Sequence, residues 1–226
     1  MAARATRRGP LTRAEIVRCA LELAEQDGLD KLSLHKIAAA VGVKTMSLYN
    51  HVADKSDVLD AMADQILAEV AIPDVDAVDW GDALTELSFA VRTAALRYPH
   101  SAPLVLVRRL NARAVLPVVD AALRTLRRAG LAPAPAVHAL RAYIAFLVGS
   151  LLREVGSMSA TSATAATIIV TRERDLLDAG LPAVAESAAA LAVCDHDAEF
   201  RFGLHLLVES LRARMNHDRI MPRSAP

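Results

Sequence analysis

Met46, Ser47, Tyr49 and Asn50 place hydroxyls, an amide and a thioether in one short run, a set suited to hydrogen bonding and surface contact rather than to making or breaking bonds. On a helical period Leu48 and Val52 point inward together, which turns Met46 and Asn50 outward with Ser47 and Tyr49 beside them. Elsewhere no nucleophile–base pair, Gly-rich phosphate loop or metal-ligand spacing stands out, so no enzyme, cofactor or metal centre is expected. Asp195, His196 and Asp197 form a small polar cluster expected to start a helix rather than hold a metal. Asp178-Ala179-Gly180 is expected to turn. A helix as short and as polar outside as the one around Ser47 has little reason to exist unless something docks on it.

The elements that must position these side chains lie in Ser33–Lys55, SLHKIAAAVGVKTMSLYNHVADK. Ahead of them a helix is predicted from about Thr12, its N-cap, to Gln26, with Ile16, Val17, Ala20, Leu21 and Ala24 as its apolar stripe and Asp27-Gly28 as its stop. Ser33 and Thr45 are the expected N-caps of a second and a third helix. Ile37, Ala38 and Val41 share one face of the second, and Gly42 supplies the positive φ that turns the chain into the third. Asp54 caps a fourth helix near Lys55–Val70. Two short helices meeting at Ala40-Val41-Gly42-Val43 fit a helix-turn-helix, whose second helix enters the DNA major groove.

The 226 residues are 54% hydrophobic but only 4% aromatic, which suits a core of Ala, Leu and Val in packed helices. Lys+Arg and Asp+Glu balance at 26 each, so bulk charge does not point to nucleic acid, but its distribution does. Arg4, Arg7, Arg8 and Arg13 stand near the start without an acid among them, whereas Asp64, Glu69, Asp74, Asp76, Asp79 and Asp82 follow without a Lys or Arg between them. Cys19 and Cys194 are too few for a disulfide framework and suggest a reducing compartment. Tyr143–Leu152 is about half the length a membrane span needs, and the basic N-terminus lacks the apolar stretch of a secretory signal; a cytoplasmic location is expected.

Beyond Ile72-Pro73 an acidic linker reaches Asp79, where a helix is predicted to run to Tyr98 and to end at Pro99. A brief segment near Ala102–Arg109 precedes a helix from about Asn111 to Ala129, with Pro117 in its early turns and Gly130 at its end. Pro135 opens a long apolar helix through about Val155. Residues 157–167 are expected to be a loop and Ile168–Leu177 is ambiguous, so the role of 157–177 stays open; Pro182–Cys194 and Ala198–Met215 make the last two helices.

A helix, then GLDKLSLHKIAAAVGVKTMSLYNHVADKSDVLDAM, then an all-helical remainder resembles the tetracycline-repressor (TetR) family of one-component regulators. The motif covers roughly Thr12–Val70, and a looser likeness continues through Trp80-Gly81-Asp82 and Phe200-Arg201-Phe202-Gly203-Leu204. The resemblance implies an all-α homodimer whose N-terminal three-helix helix-turn-helix domain is followed by a larger helical ligand-binding and dimerisation domain. The expected organisation is a basic arm over 1–11, the DNA-binding domain over 12–54, a connecting helix over 55–72, the ligand and dimer domain over 73–217 and a tail over 218–226. The family pattern assigns base-edge contact to His35, Lys44, Thr45, Met46 and Ser47, and a grip on phosphate to Ser33, Tyr49, His51 and Lys55. Asn50 stands where the family's tetracycline-binding namesake has a Trp, and His35 where it has an Arg that reads guanine, so the operator sequence does not carry over.

Tyr143–Leu152 and Phe200–Leu211 are apolar around much of their circumference, with small residues that admit close helix approach. Tyr143, Phe146, Gly149, Ser150, Phe200, Gly203, Leu204, Leu207 and Leu211 are therefore expected in a four-helix interface made by two copies. An effector cavity is expected among Leu87, Val91, His100, Leu104, Arg108, Leu116, Tyr143 and Leu147. The positions that hold the drug in the tetracycline-binding namesake match Ala71 and Leu87 here, and His100 is out of register with its metal-binding His. The implied partners are a palindromic double-stranded operator, a second copy and a small, largely apolar effector that releases the DNA. A regulator without effector, or an activator, stays open as an alternative. A structural DNA binder would carry a strong positive excess, and the formal net charge is zero.

Overall fold

A computed structural model describes residues 10–107, 113–159 and 180–220, with side chains over 10–104, 114–157 and 180–215. Expectations for the arm over 1–9, for Arg108, for residues 160–179 (including Ile168–Leu177 and Asp178-Ala179) and for 221–226 lie outside the described residues. Among the described residues the chain is all-α, without a strand. It divides into two compact units, 1–141 and 142–226.

Helix α1 spans Arg13–Asp27, held at its start by a capping box between Thr12 and Glu15 and stopped by Gly28 at φ 88°. A 3-10 turn over Leu29–Lys31 leads to α2, Leu34–Ala40, capped by Ser33. Helix α3 is only Thr45–Leu48, and Lys44 rather than the expected Thr45 takes its N-cap position. Helix α4, Lys55–Ala68, is capped by Asp54, whose carboxylate accepts from Asp57 N at 2.9 Å. One core joins the four: Ile16, Val17, Ala20, Leu21 and Ala24 of α1 with Ile37, Ala38, Leu48, Val52, Val58, Met62 and Ile66. Each large side chain so buried stabilises the head by about 1.5–3 kcal/mol.

Helix α5 covers Trp80–Leu96 and α6 Ala102–Val107; a 3-10 turn over Arg113–Val115 precedes α7, Leu116–Arg128, whose start is set by Pro117. α4 packs against α6 and the Arg113–Val115 turn, and α5 against α7. These contacts explain why the first unit continues past the linker at 73 to residue 141. The acidic linker is seated by arginines of α7: Arg124 donates to Asp76 at 2.8 Å, and Arg128 donates to the carbonyls of Val75 and Val78. Asp76 of the linker is thus paired with α7.

Helix α8 runs Pro133–Ser159, longer at both ends than expected. Its stretch Pro133–Ser157 is long and apolar enough to cross a membrane by length and composition, with 28% of the most apolar window buried. The expectation based on Tyr143–Leu152 fell short because the Ala- and Val-rich turns before it join the same helix. In the second unit α9, Pro182–Leu191, is followed by α10, His196–Ile220. Asp195 accepts from the amides of Asp197 and Ala198, so the Asp-His-Asp cluster opens a helix as expected. Phe146 of α8 meets Phe200 of α10 with ring centroids 5.6 Å apart. A Cβ on Gly203 would lie 2.3 Å from the Phe146 ring, so any larger residue there would have to displace that ring.

Candidate nucleic-acid interface

The turn between α2 and α3 is a Schellman motif. Val43 N donates to Ala38 O at 2.9 Å and Gly42 N to Ala39 O at 3.2 Å, with Gly42 at φ 74°. These bonds satisfy carbonyls that the end of α2 leaves open, and they fix the angle at which α3 departs. Leu48, fully buried, nails α3 to the core, while Met46 and Tyr49 are 75% and 50% exposed. The burial pattern divides this stubby element as its helical period predicts.

Its far end is held by an arginine from α1. Arg13 donates to both carboxylate oxygens of Asp57, at 2.5 Å and 2.9 Å, and to the carbonyl of His51 at 2.8 Å. Asp57 also accepts from Ala53 N at 2.9 Å. The guanidinium and this amide hold the Asp57 carboxyl down at about 2, and the carboxylate in turn raises the Arg13 pKa. At the other end of α1, Lys36 of α2 donates to Asp27 at 2.8 Å and lowers its pKa. The start of α1, the exit of α3 and the start of α4 are therefore one hydrogen-bonded unit. Sequence reasoning placed Arg13 among the basic residues of the N-terminus and did not see this lock; its signal was a cation and an anion at the starts of two helices that must pack together.

The expected DNA-facing residues come together on one described unit. His35, Lys44, Met46, Tyr49, Asn50 and Lys55 are exposed, and Thr45, Ser47 and His51 are partly so. Ser33 accepts from Lys36 N at 3.2 Å as a helix cap, which leaves its hydroxyl proton for another partner.

The expected effector residues are distributed less evenly. Leu87 is fully buried in α5 and Val91 partly so, whereas Leu116 is 57% exposed at the start of α7. Leu104 packs against the core of the first four helices. The His100 ring bonds the Glu25 carbonyl through Nδ1 at 2.8 Å. Tyr143 and Leu147 are buried on α8, in the second unit. Of the residues expected at a dimer contact, Tyr143, Phe200 and Leu204 are buried within their own chain, Gly149 is exposed, and Phe146, Ser150, Gly203, Leu207 and Leu211 are intermediate. Helix α10 turns Phe202 and Leu206 outward instead, 61% and 53% exposed, beside a cavity of about 240 Å³. Their one-turn spacing was the available signal, hidden because every position of that helix segment looked apolar.

Comparison with known proteins fits this geometry. Residues 16–62 match the family of bacterial regulatory proteins of the tetR family, and residues 72–215 the tetracyclin repressor-like C-terminal domain. The chain belongs to the TetR family of transcriptional regulators, and its repressor homologues are not enzymes. It is 32% identical over 202 residues to the class A tetracycline repressor from transposon 1721 of Escherichia coli, covering 88% of this chain and 89% of that one. A possible TetR-family regulator from Streptomyces coelicolor A3(2) superposes with a TM-score of 0.76 at 30% identity, over 89% of this chain and 98% of the other. A TetR variant of Acinetobacter baumannii AYE, solved with minocycline, superposes with a TM-score of 0.69 at 28% identity, over 91% and 99%.

Proposed function

We propose that two copies of the chain pair, read a palindromic operator with their α3 elements, and release it when a small, largely apolar effector binds. The observation that carries the DNA half is the exposure of Met46, Tyr49 and Asn50 on an element whose Leu48 is fully buried. His35, Lys44, Thr45, Met46 and Ser47 offer the donors, acceptors and apolar contact that base edges demand. Ser33, Tyr49, His51 and Lys55 hold the phosphates and set the register. Pairing would place two such elements about 34–36 Å apart, one turn of duplex. The exposed Phe202 and Leu206 of α10 supply an apolar contact for the second copy, joined by Phe146, Gly149 and Gly203.

A minocycline complex of a similar chain supports a ligand-binding regulator. Ala71 and the buried Leu87 offer no polar group where the tetracycline-binding namesake holds its drug, which favours an apolar effector over a tetracycline. Leu87 and Val91 of α5 are the residues proposed to meet it. The effector acts by differential affinity for two dimer geometries, only one of which matches the groove spacing. Repression in the cytoplasm is the resulting role. Selection of bound fragments from genomic DNA, followed by titration of the winning fragment against salt, tests the reading. Sequence-selective binding to a palindrome is expected; uniform affinity for all fragments would overturn it.

A further inference from the structure

We infer that Glu25 is a positioning residue that ties the DNA-binding head to the corner between α5 and α6, so that changes at that corner reach the DNA face through α1; this rests on the DNA-binding reading above. Glu25 lies in the last turn of α1, and its carboxylate accepts from His100 N at 3.1 Å, Ser101 N at 2.9 Å and Ser101 Oγ at 2.7 Å. Its own carbonyl accepts from His100 Nδ1 at 2.8 Å. His100 and Ser101 stand just before α6, and Ser101 N also donates to Tyr98 O at 3.0 Å, so the carboxylate ties down the corner itself. Ser101 beneath the carboxylate is fully buried, and Glu25 of another helix satisfies its hydroxyl.

Two neighbouring features make this pin more than a stray contact. Arg97 and Tyr98, on the same corner, donate to Glu69 just past the end of α4 at 2.7 Å and 2.9 Å. Beside Glu25 a cleft of about 490 Å³ opens among Arg18, Leu21, Glu22, Gln65 and Tyr98. The hydrogen bonds between the end of α1 and the corner converge on Glu25. The opposite end of α1 carries Arg13, which grips His51 and Asp57 at the exit of α3. A straight helix of 15 residues, roughly 22 Å long, is therefore pinned at one end to the α6 corner and at the other to the recognition element.

The test uses the full chain and the genomic fragment that the wild type selects. Amide hydrogen exchange at Ser101 and Ala102 is measured with and without that fragment for wild type, Glu25→Gln and Glu25→Ala. Because coupling is reciprocal, DNA should slow exchange at these amides in the wild type, within the roughly 5- to 150-fold span of ordinary inter-site coupling. Glu25→Ala should abolish that slowing while DNA still protects Ile37 and Ala38. Glu25→Gln, which keeps an acceptor for Ser101, should retain part of it. Slowing at Ser101 and Ala102 in Glu25→Ala equal to wild type would overturn the inference. Should Glu25→Ala not fold, Ser101→Ala removes only the hydroxyl bond and should reduce the slowing; an unchanged value overturns the inference equally. Failure of the wild type to select any fragment would instead strike the DNA-binding reading, and this inference with it.

Discussion

Met46 of α3 and Asn50 in the turn just past it are exposed, so their loss should separate binding from folding. Met46→Ala or Asn50→Ala is expected to weaken operator binding by about 1–3 kcal/mol and to relax base preference, with an unchanged melting temperature. Fluorescence anisotropy against single-base operator variants checks this. Lys55→Ala should act differently, lowering affinity on every sequence and reducing the slope of log K against log salt by about 1. The Arg13–Asp57 lock carries a pH signature. Asp57 titrates at about 2 in the folded chain, against about 3.9 for an unperturbed aspartate. Its folded pKa is depressed, so its contribution to stability is complete above the unfolded value and is lost as pH falls from about 4 toward 2. Denaturant melts across that window should show a smaller loss in Asp57→Asn, which has no carboxylate to protonate.

The turn from α2 to α3 depends on one backbone angle. Gly42 sits at φ 74° with nothing within 4 Å of an added Cβ, so Gly42→Ala meets strain without a clash. A destabilisation of about 1–2 kcal/mol is expected from the left-handed conformation alone, readable by denaturant titration. Gly203 is the reverse case: its φ is unexceptional, but an added Cβ meets the Phe146 ring. Gly203→Ala should cost about 1–3 kcal/mol by overpacking α8 against α10. The helical elements themselves were legible, since Thr12, Ser33, Asp54, Gly28 and Gly42 punctuate the chain by side-chain and φ chemistry that acts locally. What was hidden needed long-range information. Glu25 bonds Ser101, 76 residues further on, and Arg13 reaches 44 residues to Asp57; nothing in local periodicity marks either pairing. The outward stripe of α10 was hidden for another reason. A helix that is apolar on most sides does not say which side faces its own core, and Phe200 and Leu204 proved to be the inner pair and Phe202 and Leu206 the outer.

An effector-operated DNA binder needs two heads held at a set spacing, and the exposed Phe202 and Leu206 are the proposed means of holding them. Phe202→Glu with Leu206→Glu should leave each chain folded but shift sedimentation to the monomer and weaken operator binding at least tenfold. The most direct single measurement is a hydroxyl-radical footprint of the full chain on its selected genomic fragment. Two protected half-sites, centred about one helical turn or a multiple apart on one face of the duplex and related by a two-fold axis, are the expected result. One isolated half-site, or protection without sequence register, would contradict paired recognition elements presented by α3.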